Sequence, residues 1–179
     1  MQKRLILNAR LLEITVDRLC QQLIENHNDF EETVLLGLQP RGASLARFIQ
    51  KRIKELSSVD LPLGYLDTTF HRDDFRRRDI PKKANATKID FIIEGKKIVL
   101  VDDVLYTGRS VRAALDAMLA FGRPSKVELL VLVNRKYSRD LPIEPNYIGR
   151  NVNTIDSQRV LVDWPEEGSA KTVWLINRD

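Results

Sequence analysis

Apolar residues along this chain follow two alternating periods. Between residues 10 and 26, Leu12, Val16, Leu19 and Leu23 recur every three or four positions, the spacing of one helix face. "TVLLGL" (33–38) is continuously apolar and predicts a strand buried on both sides. The turn "QPRG" follows, then helical spacing near 43–56. "LPLGYLDTTF" (61–70) predicts a second strand, with Pro62 at its start, where a missing N–H does little harm. Residues 71–95 have no clear period and predict a long loop, a length usually kept for functional lids or disorder. Beyond it come strand 97–103, helix 109–121, strand 126–133, a Pro-containing loop, and short strands near 158–163 and 172–176.

Strands alternating with helices predict an α/β fold, a mostly parallel sheet flanked by helices, with residues 1–179 forming a single domain. In such sheets ligands bind beyond the carboxyl ends of the strands. Here those ends carry Gln39–Gly42, Asp67–Phe70, Asp102–Ser110 and Asn134–Lys136.

Composition narrows the class. With 179 residues, 43% hydrophobic and 30% charged, the chain is an ordinary globular sequence with room for a core. No apolar run approaches the roughly 20 residues of a membrane span, and "MQKRLILNAR" lacks the apolar region of a secretory signal. Cys20 is the single cysteine, which excludes an intramolecular disulfide and fits a reducing, cytoplasmic setting. It lies on the apolar face of the first helix and reads as core. One cysteine and two scattered histidines give no zinc set, and no metal held by protein ligands is expected. Charge is concentrated in one place. Residues 71–88 hold seven basic residues (Arg72, Arg76, Arg77, Arg78, Lys82, Lys83, Lys88) against Asp73, Asp74 and Asp79, and this local excess equals the +4 of the whole chain. Such a segment suits a phosphate-rich partner, although for Arg76–Arg78 a solvated charge run is the plainer reading.

The stretch "KIVLVDDVLYTGRS" (97–110) carries the chemistry. A buried strand ends in two adjacent carboxylates, Asp102 and Asp103, which repel one another unless something binds them. Four residues later, Thr-Gly-Arg-Ser turns into a helix. Backbone N–H groups, hydroxyls and the positive helix end there suit a phosphate monoester. Gly108 allows close approach. The acids can accept from vicinal sugar hydroxyls, so a sugar bearing a 5-phosphate spans both halves. A polar turn capping the helix through Thr107 or Ser110 is the purely structural alternative. The chain has neither G-x-x-x-x-G-K-[ST] nor G-x-G-x-x-G.

This stretch resembles the phosphoribosyl pyrophosphate (PRPP) motif, about 98–110, of the type I phosphoribosyltransferases. "GLQPRGASLA" (37–46), "LDTTFHRDDF" (66–75), "FGRPSKVELLVLVNR" (121–135) and "DLPIEPNYIGRNV" (140–152) extend the resemblance over nearly the whole chain. It is nearest to members that join uracil to PRPP and also attenuate pyrimidine genes. The resemblance implies that Asp102 and Asp103 bind the ribose hydroxyls, with Val104 and Leu105 beside them, and that Tyr106, Thr107, Gly108, Arg109 and Ser110 wrap the 5-phosphate. Pro40, Arg41 and Gly42 match the pyrophosphate loop, often with a strained peptide bond before the Arg. Residues 70–95 match a flexible hood in which Arg72 contacts pyrophosphate and Asp73 and Asp74 are structural or metal-directed. Arg41, Arg72, Asp102 and Asp103 are the expected catalytic residues. Asn134, Arg135 and the backbone near Val160 fall at the base site.

Purine enzymes of the family usually carry an acid where Tyr106 stands. A tyrosine, with an unperturbed pKa of about 10, substitutes poorly for a carboxylate, which favours a pyrimidine. The implied reaction gives UMP and pyrophosphate, with Mg2+ bound mainly through PRPP, in a homo-oligomer (dimer or higher). The alternatives are an RNA-binding attenuation regulator with little catalysis, acting on pyrimidine leader mRNA, or transfer to another base. Asp17, Gln21 and Glu144 stand where a hydroxyl, a histidine and an arginine are expected, and acid for base weakens contact with an RNA backbone. "NRKYSRDLP" also departs from the usual "DRGHRELP".

Overall fold

A computed structural model describes residues 3–71, 85–164 and 171–177. Its centre is a five-stranded parallel sheet in the order β3-β2-β4-β5-β6. The strands are β2 (Thr33–Leu38), β3 (Leu63–Leu66), β4 (Lys97–Leu105), β5 (Lys126–Lys136) and β6 (Tyr147–Asn153). A smaller antiparallel sheet, β1-β8-β7, joins Lys3–Leu7, Thr172–Asn177 and Gln158–Asp163.

Burial follows from the period-2 alternation of the central strands. Leu35, Val99, Val101, Leu130 and Leu132 face α1 (Ala9–His27) and α2 (Arg41–Ser57), whose Leu12, Leu19, Leu23, Leu45, Ile49 and Ile53 complete one core. Val34, Leu36, Ile98, Leu100 and Val131 face the other way, onto Val111, Ala114 and Met118 of α3 (Arg109–Met118). Both faces being covered explains why these strands read as unbroken apolar runs. Each fully buried leucine contributes about 1.5–3 kcal/mol. Cys20 is buried in the first core, and burial pushes its thiol up to about 12.

Four elements differ in extent from the sequence expectation. The helix from 109 ends at Met118, and residues 119–121 tighten into a 3-10 turn. The strand expected at 61–70 shortens to Leu63–Leu66, while β4 and β5 run on to Leu105 and Lys136. Strands β1 and β6 were not expected at all. Both lie at sheet edges, and neither "KRLIL" nor "YIGRNVN" shows clean alternation because half of each strand is exposed. The downstream part of the expected loop packs closely. Tyr65 and Lys88 exchange both backbone hydrogen bonds at 2.8 Å, and Ile93 is fully buried. No described helix is long and apolar enough to cross a membrane.

Candidate active site

The parallel strands bring their carboxyl ends to one side, and the loops there enclose a cavity of about 500 Å³. Pro40, Arg41, Thr68, Asp102, Asp103 and Ser110 are among its walls. Asp103 is buried and Asp102 half-buried. The Asp103 N–H donates to Asp102 Oδ1 at 2.9 Å, and both residues line the cavity. Asp103 Oδ2 is buried without a hydrogen-bond partner. Among the described residues its nearest cation is Arg41, at 4.0 Å, whose side chain is itself 54% exposed. Burial, and then the neighbouring Asp103 charge, holds Asp102 well above the ordinary carboxylate range. Burial also raises Asp103, against a partial opposing pull from Arg41. Charging the pair is therefore costly and one of its oxygens, Asp103 Oδ2, has no donor, which suits hydroxyl donors or a hydrated cation.

Two close approaches shape the anion side. A Cβ on Gly42 would lie 2.3 Å from the Val101 carbonyl oxygen, so only glycine lets α2 start against β4 here. Gly108 sits at φ +92° at the head of α3, where no side chain caps the helix. The cap position is thus held by glycine, contrary to the structural reading of Thr107 or Ser110 there, and the positive end of α3 favours an anion. Thr107 Oγ1 does accept from Arg109 N, at 3.4 Å. The loop is held from outside. Asp140 N and Leu141 N donate to the Thr107 carbonyl at 3.0 and 3.2 Å, and Arg109 Nε donates to Asp140 Oδ2 at 3.0 Å.

Beyond the loop, Arg135 is buried and donates to Thr154 Oγ1 and to the Gln158 carbonyl, both at 3.0 Å. Its guanidinium lies 3.8 Å from the centroid of the Tyr106 ring. Asn134 donates to Asn151 Oδ1 at 2.9 Å and accepts from Arg139 Nη2 at 2.6 Å. Arg139 Nη1 also donates to the Tyr106 carbonyl.

The expected residues thus divide into three groups. Pro40, Arg41, Asp102, Asp103, Val104 and Ser110 line the cavity, and Tyr106, Asn134 and Arg135 adjoin its loop. Leu105 and Val160 turn their side chains into the two cores, leaving backbone to offer a ligand. Arg72, Asp73, Asp74 and Arg76–Arg78 lie outside the described residues. The Gln39–Pro40 peptide bond, ahead of Arg41, is cis. Thr68 and Thr69 fall within the strand end Asp67–Phe70 named from the sequence, whereas Asn85 and Arg139 were not foreseen. "LDTTF" held a usable signal in two hydroxyls at a strand end, whereas Asn85 and Arg139 reach the site from loops with no local mark. Among the described residues, no cluster of three or more His, Cys, Asp or Glu could hold a metal ion.

Comparison with known proteins agrees with this geometry. A family model for the phosphoribosyl transferase domain matches residues 4–167. The chain is 39% identical over 175 residues to the bifunctional protein PyrR of Haemophilus ducreyi, covering 98% of this chain and 97% of that protein. It is 44% identical over 160 residues to the bifunctional protein PyrR of Caldicellulosiruptor bescii, covering 88% and 87%. Among solved structures, a hypoxanthine-guanine phosphoribosyltransferase of Bacillus anthracis shares the fold at a TM-score of 0.69 and 16% identity, over 88% of this chain and 86% of that one. Two carboxylates at a strand end, an uncapped helix start facing the same cavity and this similarity agree. The chain belongs to the phosphoribosyl transferase family and, within it, to the PyrR proteins.

Proposed function

We propose that the chain transfers the phosphoribosyl group of PRPP to uracil, giving UMP and pyrophosphate, and that it regulates pyrimidine genes by binding leader mRNA. One observation carries the catalytic part. Asp103, with a buried and unpartnered carboxylate oxygen, lines the same cavity as Arg41 and Ser110. The residues present suit Mg2+ delivered on PRPP, since the acid pair offers carboxylate oxygen but no third His, Cys, Asp or Glu joins it among the described residues. When bound, that ion supplies neutralisation of the departing pyrophosphate charge.

The chain's own residues do the rest. Asp102 and Asp103 accept hydrogen bonds from the ribose 2- and 3-hydroxyls and fix the ring. The N–H groups from Thr107 to Ser110, with the α3 dipole behind them, hold the 5-phosphate. Ribose is thereby fixed at two points, which leaves C1 aligned with the incoming base. Breaking the C1–pyrophosphate bond leaves an oxocarbenium-like sugar and a highly charged leaving group. Arg41 faces that leaving group, and Arg72 from the hood adds to it. Asn134, Arg135 and the backbone at Val160 place the base beside Tyr106. Hood closure over residues 70–95 excludes water, the competing nucleophile. UMP formation from uracil, PRPP and Mg2+ tests the reading. Equal or better turnover of hypoxanthine or orotate overturns the choice of base.

Similarity to the PyrR proteins supports the regulatory part. Arg52 holds Asp17 with two hydrogen bonds, Nε at 2.5 Å and Nη2 at 2.9 Å, but also binds Glu55 at 2.8 Å, so the cluster stays net negative and weighs against RNA contact at this face. Arg4 and Arg150 flank an open groove of about 550 Å³ between β1 and β6, a surface suited to phosphates. An electrophoretic shift with pyrimidine leader RNA tests this part, and the absence of a shift at low salt removes it.

A further inference from the structure

We propose that Arg139 is a positioning residue that couples the phosphate loop to the base site, a reading that rests on the two sites proposed above. Arg139 lies in the turn after β5. There Tyr137 adopts φ +66°, a left-handed conformation rare for an aromatic residue, and the chain doubles back over the strand end. This reversal carries the half-buried Arg139 between two acceptors. Nη1 donates to the main-chain carbonyl of Tyr106, the first residue of the phosphate loop. Nη2 donates to Asn134 Oδ1 at 2.6 Å, and Asn134 in turn donates to Asn151 at 2.9 Å. A guanidinium is planar, with its donors in a fixed fork, so it sets both the separation and the mutual orientation of the groups it bridges.

The neighbours of Arg139 bind the same loop. Asp140 N and Leu141 N meet the Thr107 carbonyl, Asp140 pairs with Arg109, and Leu141 and Ile143 approach Gly108. The segment 139–143 therefore follows the loop as one piece. Asn134, by contrast, stands on β5, within the rigid sheet. Arg139 is the link between the moving piece and the fixed one. An anion drawing on the N–H groups of 107–110 displaces the Tyr106 carbonyl, and the fork passes that displacement to the Asn134 amide. By reciprocity, a base held at Asn134 tightens the phosphate loop. Arg139 touches neither reacting atom in this account.

Three measurements on the full chain test it. Arg139→Gln should lose the coupling in both directions, raising the KM for uracil at saturating PRPP and the KM for PRPP at saturating uracil by a similar factor of about ten, the loss of one charge-assisted hydrogen bond. Arg139→Lys should recover only part, because an ammonium cannot span both acceptors. In 15N spectra of the wild type, ribose 5-phosphate should move the Asn134 side-chain amide resonance, and Arg139→Gln should abolish that response. Weaker binding of ribose 5-phosphate in the absence of base, together with a lowered Tm, would make Arg139 merely structural and overturn the coupling. So would a wild-type Asn134 resonance that ignores ribose 5-phosphate. If uracil is not turned over yet the resonance still responds, the base assignment fails and the coupling stands.

Discussion

Asp103→Asn should stabilise the ligand-free protein while disabling it. The carboxylate is buried, one oxygen has no partner, and the nearest cation among the described residues stands 4.0 Å away. Burial raises both Asp102 and Asp103 above the ordinary carboxylate range. A raised folded-state pKa means that the folded chain prefers the protonated form. The pair's contribution to stability is then full below the unfolded carboxylate pKa, and it is lost as pH rises through the folded values. At neutral pH the two charges work against folding. An amide at 103 keeps the shape, removes one charge and lets its N–H2 meet the Asp102 carboxylate.

Relief of an unsatisfied buried group is worth about 1–3 kcal/mol. For a chain of this length each kcal/mol moves Tm by roughly 2–4 °C. Melts of ligand-free wild type and variant at neutral pH should show that gain, shrinking as the buffer is acidified and the wild-type pair takes up protons. PRPP use should fall by about tenfold or more, since acceptors for ribose hydroxyls are weakened. A sharp drop in Tm with unchanged activity per folded molecule would show that the acids hold the strand end together and bind nothing.

Other consequences are open to measurement. Glu128 lies in a buried cluster with His27 at 2.8 Å and Tyr147 at 3.0 Å, and Lys126 reaches its other oxygen at 2.5 Å. Burial alone would raise its carboxyl, but these partners together outweigh it and the net shift is downward. Its stabilisation is therefore present above the ordinary carboxylate pKa and lost as pH falls through the lower folded value. Glu128→Gln should cost about 1–3 kcal/mol at neutral pH and flatten the acid limb of urea melts, and an unchanged acid limb would refute this. Cys20, with its thiol pushed up to about 12 by burial, should resist alkylation at pH 8 until the chain is unfolded, and rapid native labelling would contradict the packing. Trypsin should cut within 71–88 more slowly when Mg2+ and PRPP are bound, and Arg72→Ala should slow turnover. Unchanged cleavage with a silent Arg72→Ala would reduce the basic run to a solvated loop.

Legibility from sequence followed contiguity. α1 could be read because Leu12, Val16, Leu19 and Leu23 sit on one face, and β2 and β4 because burial on both sides leaves an unbroken apolar run. The acid pair and the phosphate loop could be read because one strand and the helix after it supply every member within nine residues, Asp102 to Ser110. β1 and β6 escaped because an edge strand has one ladder partner and a half-exposed face, which blurs the alternation. Asn85 and Arg139 reach the site from two separate loops, so their proximity is a property of the fold and of no local pattern.

The turn after β5 shows where the sequence stops and the topology takes over. "NRKYSRDLP" differs from its relatives' pattern, and read alone it casts doubt on base recognition. In the folded chain its first two residues end a strand that runs beside β4, with Leu105 opposite Asn134. That register fixes Asn134 and Arg135 next to Tyr106 whatever the turn contains. The turn must then only return the chain to the loop, and Tyr137 at φ +66° accomplishes this at a backbone cost of about 1–2 kcal/mol for a residue without glycine's freedom. What offsets that cost is visible in the contacts: four main-chain and side-chain ties from 139–141 to Tyr106, Thr107 and Arg109. A left-handed tyrosine is retained here because the segment it redirects holds the phosphate loop. Changes of sequence in the turn are therefore tolerable where they leave the return path and the arginine fork intact, and costly where they do not.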